Sequence, residues 1–290
     1  MLRRIARGWA FVKVSWSVLS RHPKLLILPI FSTAALLLIF GFIAASVFWT
    51  GLAHEIPSIF QQLHTPIGQI VGYGILFVFY LINMFIMIFF NAALVFCTLE
   101  AFAGKTPSLT AGLAATWRRL PQILAWTFVA STVGVILNIL ENMLERTLGF
   151  LGSLLGGTVE IGWTVATYFV VPVIVIEGVG PIEAVKRSSA ALKRSWGDSA
   201  TGEGGFTVIS FFFILPAFLL LLWTPVRGIW IGHFALGHIV FALYALATSL
   251  IFAALSIIFR TGVFVYATTG TVPQGFDSGV LDSAFSRKKG

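Results

Sequence analysis

Six stretches of eighteen or more largely apolar residues run through this chain, and they leave few folds open to it. They are Leu25–Trp49, about Ile67–Cys97, Leu120–Leu140, about Thr158–Ile176, Phe206–Trp223 and about Phe234–Phe259. A helix needs about 20 such residues to cross the hydrocarbon core of a bilayer. The second stretch is longer, enough to tilt or to extend past the membrane. Of 290 residues, 58% are hydrophobic and only 10% charged, against roughly a quarter charged in a soluble domain. A soluble globule could not cover itself with so few polar groups, so apolar surface must face lipid. The expected fold is all-α, a polytopic membrane protein of about six transmembrane helices forming one integral domain over residues 1–290. No cleavable leader is expected: the N-terminus carries Trp9, Trp16 and several basic residues in place of a short apolar region and cleavage site.

The basic residues decide orientation. One side of the membrane receives Arg3, Arg4, Arg7, Lys13, Arg21, Lys24, Lys105, Arg118, Arg119, Lys186, Arg187, Lys193, Arg194, Arg260, Arg287, Lys288 and Lys289. The other side receives only Arg146 and Arg227. That asymmetry places both termini in the cytoplasm, with a bacterial inner membrane as the expected location. The net charge of +8 follows from these loops, so no nucleic-acid partner is implied. The single cysteine, Cys97, can form neither an internal disulfide nor a metal cluster, and reads as a small buried hydrophobe.

After each even-numbered span the sequence has a common shape: Gly104 then Pro107, Gly180 then Pro181, Gly270 then Pro273. Glycine lets a helix end in a left-handed turn, and proline suits the first turn of the next one. The segment after Pro181 places Ile182, Val185, Ser189, Leu192 and Trp196 on one face. The N-terminal segment does the same with Ile5, Trp9, Val12, Trp16 and Leu19. Both stripes are flanked by basic residues, as expected of amphipathic helices lying in the interface against anionic headgroups. The chain therefore reads as a pseudo-threefold internal repeat with units of about 3–106, 107–180 and 181–269, followed by a tail over 270–290.

The stretch "VPVIVIEGVGPIEAVKRSSAALKRSWG" (Val171–Gly197), with "SRHPKLLILPIFS" (Ser20–Ser32), resembles a family of bacterial six-span membrane proteins of unknown function. That family is distantly similar to the membrane domain preceding some glycerophosphodiester phosphodiesterases. The resemblance implies the six-span fold with interfacial segments, and no activity. A phosphodiesterase would need metal-binding carboxylates and histidines on a separate soluble barrel, for which this chain has no room.

Polar residues inside spans are costly and therefore informative. Asn83 and Asn91 lie two turns apart in the second span. Asn138 and Glu141 share a face at the outer end of the third, and Glu160 opens the fourth. They are candidates for a polar pathway or for hydrogen bonding between helices. Glu100 and Glu177 hold corresponding places after spans two and four. With Lys186, Arg187, Lys193 and Arg194 they form a candidate surface for docking lipid or a partner. His54, Glu55, His64, His233 and His238 fall on the outer side without metal-ligand spacing, so no metal is expected. Gly68/Gly72, Gly152/Gly156 and Gly228/Gly232 have the spacing that lets helices approach closely.

Neither a phosphate-binding loop, a His-Glu-x-x-His motif nor a nucleophile elbow occurs, so neither enzyme activity nor a cofactor is expected. The leading expectation is a non-enzymatic scaffold, assembly factor or subunit of a membrane complex, with a protein partner. The alternative is a transporter or channel for a small solute or ion, possibly as a homo-oligomer. A third reading is a lipid-handling protein that binds anionic headgroups through the Lys186–Arg194 segment.

Overall fold

The computed structural model describes residues 2–50, 65–193, 209–215, 218–219 and 231–274. Regular structure among the described residues is helical throughout. α1 (Leu2–Arg21) leads through a 3₁₀ turn (Pro23–Leu26) into α2 (Ile27–Trp49). α3 (Pro66–Phe102) returns, and α4 (Leu109–Arg118) is short. α5 (Leu120–Leu148) and α6 (Phe150–Ala166) form a hairpin about Gly149. After a break, α7 (Val170–Glu177) continues the line of the chain, and α8 (181–193) follows. Residues 209–215 form α9, and α10 (Ile231–Thr269) closes the described bundle.

Among the described residues, five stretches are long and apolar enough to cross a membrane: Pro23–Trp49, Ile67–Phe102, Leu120–Leu148, Phe150–Glu177 and His238–Thr269. Half of the remaining expected span, Phe206–Trp223, falls outside the described residues. At about 1.5 Å per residue, the 37 residues of α3 extend about 55 Å, more than the roughly 40–45 Å of a whole bilayer. The third and fourth spans meet later and earlier than expected. α5 runs on to Leu148, and α6 starts at Phe150, because Gly149 at φ 57° reverses the chain in a single residue. Gly152 and Gly156 then press α6 onto α5: a Cβ on Gly152 would strike the Leu144 carbonyl, and one on Gly156 would lie 2.9 Å from Glu141 Cγ.

Buried side chains gather at one end of the bundle, the basic end, where Arg21, Lys105, Arg119 and Lys186 also lie. Leu25, Leu28, Leu94, Cys97, Ile123, Phe169, Ile174, Leu255 and Phe259 are all inaccessible there. Phe11 of α1 meets Phe259 of α10 at 4.8 Å between ring centroids. Toward the other end the helices separate, leaving Phe42 75% and Ile70 73% exposed. α3, α7 and α10 each stop at a left-handed glycine, Gly104, Gly178 and Gly270. In the second case the sequence pointed to Gly180. Gly178 takes the turn because its N–H closes back on the Ile174 carbonyl, while the Gly180 carbonyl accepts the first N–H of α8, that of Ala184.

The buried faces of the short helices also differ from the expected stripes. On α1, Val12 and Leu19 are buried, but so are Phe11, Val14, Ser15 and Val18, and Trp9 and Trp16 point outward. On α8, Ile182 is 73% exposed, and the inner face is Ala184, Ser188, Ala191 and Leu192. Small side chains win this face because they let α8 come close enough to bond the backbone behind it. Trp196 and Arg194 lie outside the described residues.

Candidate functional site

The fourth span is interrupted at Thr167–Phe169. The Tyr168 N–H bonds the Val165 carbonyl and the Val170 N–H bonds that of Thr167, both tighter 3₁₀-type links. Phe169 is thereby left without a helical acceptor, and Pro172 cannot donate to the Tyr168 carbonyl. Ser188 of α8 fills the gap: its Oγ accepts the Phe169 N–H at 2.9 Å, with both residues inaccessible. Beside it, Ser189 Oγ donates to the Ala166 carbonyl at 3.3 Å. The guanidinium of Arg260 lies 4.7 Å from the Tyr168 ring centroid, and the Phe169 ring packs against Phe264.

Glu100 and Glu177 are both engaged at helix ends. A Glu100 carboxylate oxygen accepts the Ser108 N–H at 3.0 Å, and Ser108 Oγ in turn accepts the Ala111 N–H to cap α4. Glu177 forms an ion pair with Arg187, which also bonds Glu183 one turn away at 2.9 Å. The Glu183 hydrogen bond raises the Arg187 pKa, helped by that to Glu177; the reciprocal bond holds the Glu183 carboxyl below its ordinary range. Gln122 Nε2 donates to the Gly178 carbonyl at 3.4 Å, and the Arg119 guanidinium lies where a Gly178 side chain would begin. Lys186 and Lys193 are exposed. Of the candidate basic segment, then, Arg187 clamps two carboxylates while the two lysines face outward.

The candidate residues within the spans do not converge. Asn83 donates to the Phe79 carbonyl of its own helix at 2.7 Å. Asn91 is half-buried and finds no hydrogen-bond partner among the described residues. Asn138 and Glu141 point different ways: Glu141 lies under Gly156 of α6, whereas Asn138 lines a groove against α3. Glu160 is exposed. Among the described residues no three His, Cys, Asp or Glu side chains meet as a metal site; His54, Glu55 and His64 lie outside those residues.

That groove has a volume of about 730 Å³ and brings Tyr73, Tyr80, Asn142 and Arg146 beside Asn138. Of these, only Asn138 stands out as polar within a span. The spacing of Asn138, Asn142 and Arg146 at four-residue steps was the available signal, and the tyrosines had none. A second hollow of about 440 Å³ lies where α1, α9 and α10 meet, lined by Trp9, Lys13, Trp16 and Phe252 among others.

Neither a curated protein nor a solved structure matches the chain. A family of unknown function (DUF6159) matches it over residues 70–275, more than half its length, and the chain belongs to that family.

Proposed function

We propose that the protein is a non-enzymatic component of a membrane complex, acting as scaffold, assembly factor or subunit. One observation carries this reading. The polar side chains that could have carried chemistry at the basic end are engaged with the protein's own backbone and helix ends: Glu100 on Ser108, Glu177 and Glu183 on Arg187, and Ser188 on Phe169. Each of these contacts holds a helix end or a backbone break in place. Outward from that frame project Trp16, Trp117 and Ile182, all large, apolar and exposed. Beside Lys13, Arg118 and Lys186 they suit an interface with headgroups or with a partner's apolar anchors.

In this reading the basic end is cytoplasmic, in a bacterial inner membrane, with α1, α4 and α8 as interfacial helices and both termini inside. Connectivity supports six crossings. α7 ends at the basic end, and so does α10, where Gln274 comes within 2.9 Å of a Cβ built on Gly104. The 39 residues of α10 extend about 58 Å, a full crossing, and a chain that stands at the basic end after both α7 and α10 suits an even number of crossings. The three glycine turns, each followed by a proline, support the threefold repeat.

Native mass spectrometry of the protein extracted gently from its own membrane tests the proposal. A heterologous subunit at fixed stoichiometry is the expected result, and a lone monomer or homo-oligomer would overturn it. A transporter is the second reading, favoured by the broken fourth span with Pro172 beside the interruption. It requires that Asn83→Leu or Asn138→Leu abolish flux in proteoliposomes while the fold stays intact.

A further inference from the structure

We propose that the groove between α3 and α5 binds a phospholipid with an anionic headgroup, a role separate from the scaffold function. Its volume of about 730 Å³ lies within the roughly 300–1,000 Å³ of small-ligand sites, enough for a headgroup and the upper part of its chains. The polar groups are ordered by depth. Asn138, Asn142 and Arg146 follow one another at four-residue steps, about 6 Å apart along α5.

Absolute depth follows from the helix itself. Arg119, beside the Gly178 turn at the basic end, precedes Arg146 by 27 residues, or about 40 Å of helix. That exceeds the roughly 30 Å hydrocarbon core and falls at the lower end of the 40–45 Å that includes both headgroup regions. Arg146 therefore reaches phosphate level on the far side. The two asparagines lie about 6 and 12 Å deeper, at the glycerol esters and the start of the chains.

The chemistry at each depth matches. Among the described residues no carboxylate pairs with Arg146, and a guanidinium binds phosphate oxygens through paired donors. Asn142 Nδ2 donates to the Asn138 carbonyl at 2.7 Å and to Asn138 Oδ1 at 3.1 Å. This holds the Asn138 side chain while leaving its own NH₂ to donate to an ester carbonyl. The walls around and below the asparagines are Leu76, Phe77, Val135 and Ile139. Leu76 and Ile139 are more than half exposed, so the groove opens sideways toward lipid, as a chain-bearing ligand needs and a soluble anion does not. Tyr80 bounds it below, its Oη 3.1 Å from a Cβ built on Gly134.

Native mass spectrometry of the full chain with phosphatidylglycerol or phosphatidylcholine added in turn tests this. The expected result is a bound phosphatidylglycerol, retained about tenfold more strongly than phosphatidylcholine, that free glycerol phosphate does not displace. Arg146→Gln should remove the preference, Asn138→Leu should weaken both lipids, and Lys105→Gln, exposed at the opposite end, should change neither. Equal retention of the two lipids, a preference that survives Arg146→Gln, or displacement by glycerol phosphate would overturn the proposal. Folding is checked by whether Cys97 stays inaccessible to maleimide. If Arg146→Gln fails that check, Arg146→Lys supplies the decision: it must keep a preference for the anionic lipid.

Discussion

Removing one hydroxyl should loosen this bundle more than its size suggests. Ser188→Ala deletes the acceptor that α8 supplies to the Phe169 N–H of the interrupted fourth span, at a position where both residues are inaccessible. Water cannot replace it, so the amide is left buried and unpaired. That costs about 1–3 kcal/mol, or about a 5- to 150-fold rise in the opened population at 1.4 kcal/mol per factor of ten. Cys97 is a native reporter, the single cysteine of the chain and fully buried in the same core. Its maleimide labelling rate under mild denaturant should rise accordingly. Ser189→Ala is the control: its bond to Ala166 is longer at 3.3 Å and the residue is half-buried, so about 0.5 kcal/mol or less is expected. Amide exchange at Phe169 separates loss of the bond from a general loosening. Labelling of Ser188→Ala within twofold of the parent, with Phe169 still protected, would refute the reasoning.

Other expectations can be checked by the same labelling or by thermal unfolding. Gly112→Ala puts a Cβ 2.5 Å from Cys97 Sγ and 3.1 Å from the Ala93 carbonyl. It should destabilise by about 1–3 kcal/mol, and Cys97→Ala in the same chain should restore part of that. Gly178→Ala meets both a φ of 68° and the Arg119 guanidinium, whereas Gly270→Ala meets only a φ of 70°. The second should cost about 1–2 kcal/mol and the first more, with Arg119→Ala narrowing the difference. The depressed pKa of Glu183 implies a contribution fully present above the ordinary glutamate value of about 4.3. It is lost as pH falls through the lower folded value. Arg187→Gln should flatten the acid side of a stability–pH curve by a small amount, since both groups are exposed.

Sequence legibility followed the physics of each feature. The apolar runs were plain because burial in lipid demands length and hydrophobicity together, which few other structures do. Their ends were less plain. Asn138, Glu141 and Arg146 suggested that the third span stops near Leu140, yet a helix can carry polar groups through the headgroup layer, and α5 continues to Leu148. The inner faces of α1 and α8 were misplaced for a different reason. Hydrophobicity ranks Trp and Ile above Ser and Ala, whereas close packing and the need to satisfy Phe169 select Ser188 and Ala184 and leave Trp16 and Ile182 outside. The groove could not be read because nothing local says that α3 meets α5 through Tyr80 and Asn138.

The most direct test of the scaffold reading is photo-crosslinking from single benzoyl-phenylalanine positions in the native membrane. Trp117 and Ile182, exposed on α4 and α8, report the proposed docking side, and Phe42, exposed on the far half of α2, reports the lipid side. The account predicts one and the same heterologous protein captured from Trp117 and Ile182, with lipid adducts alone from Phe42. Lipid adducts alone from all three positions would contradict it.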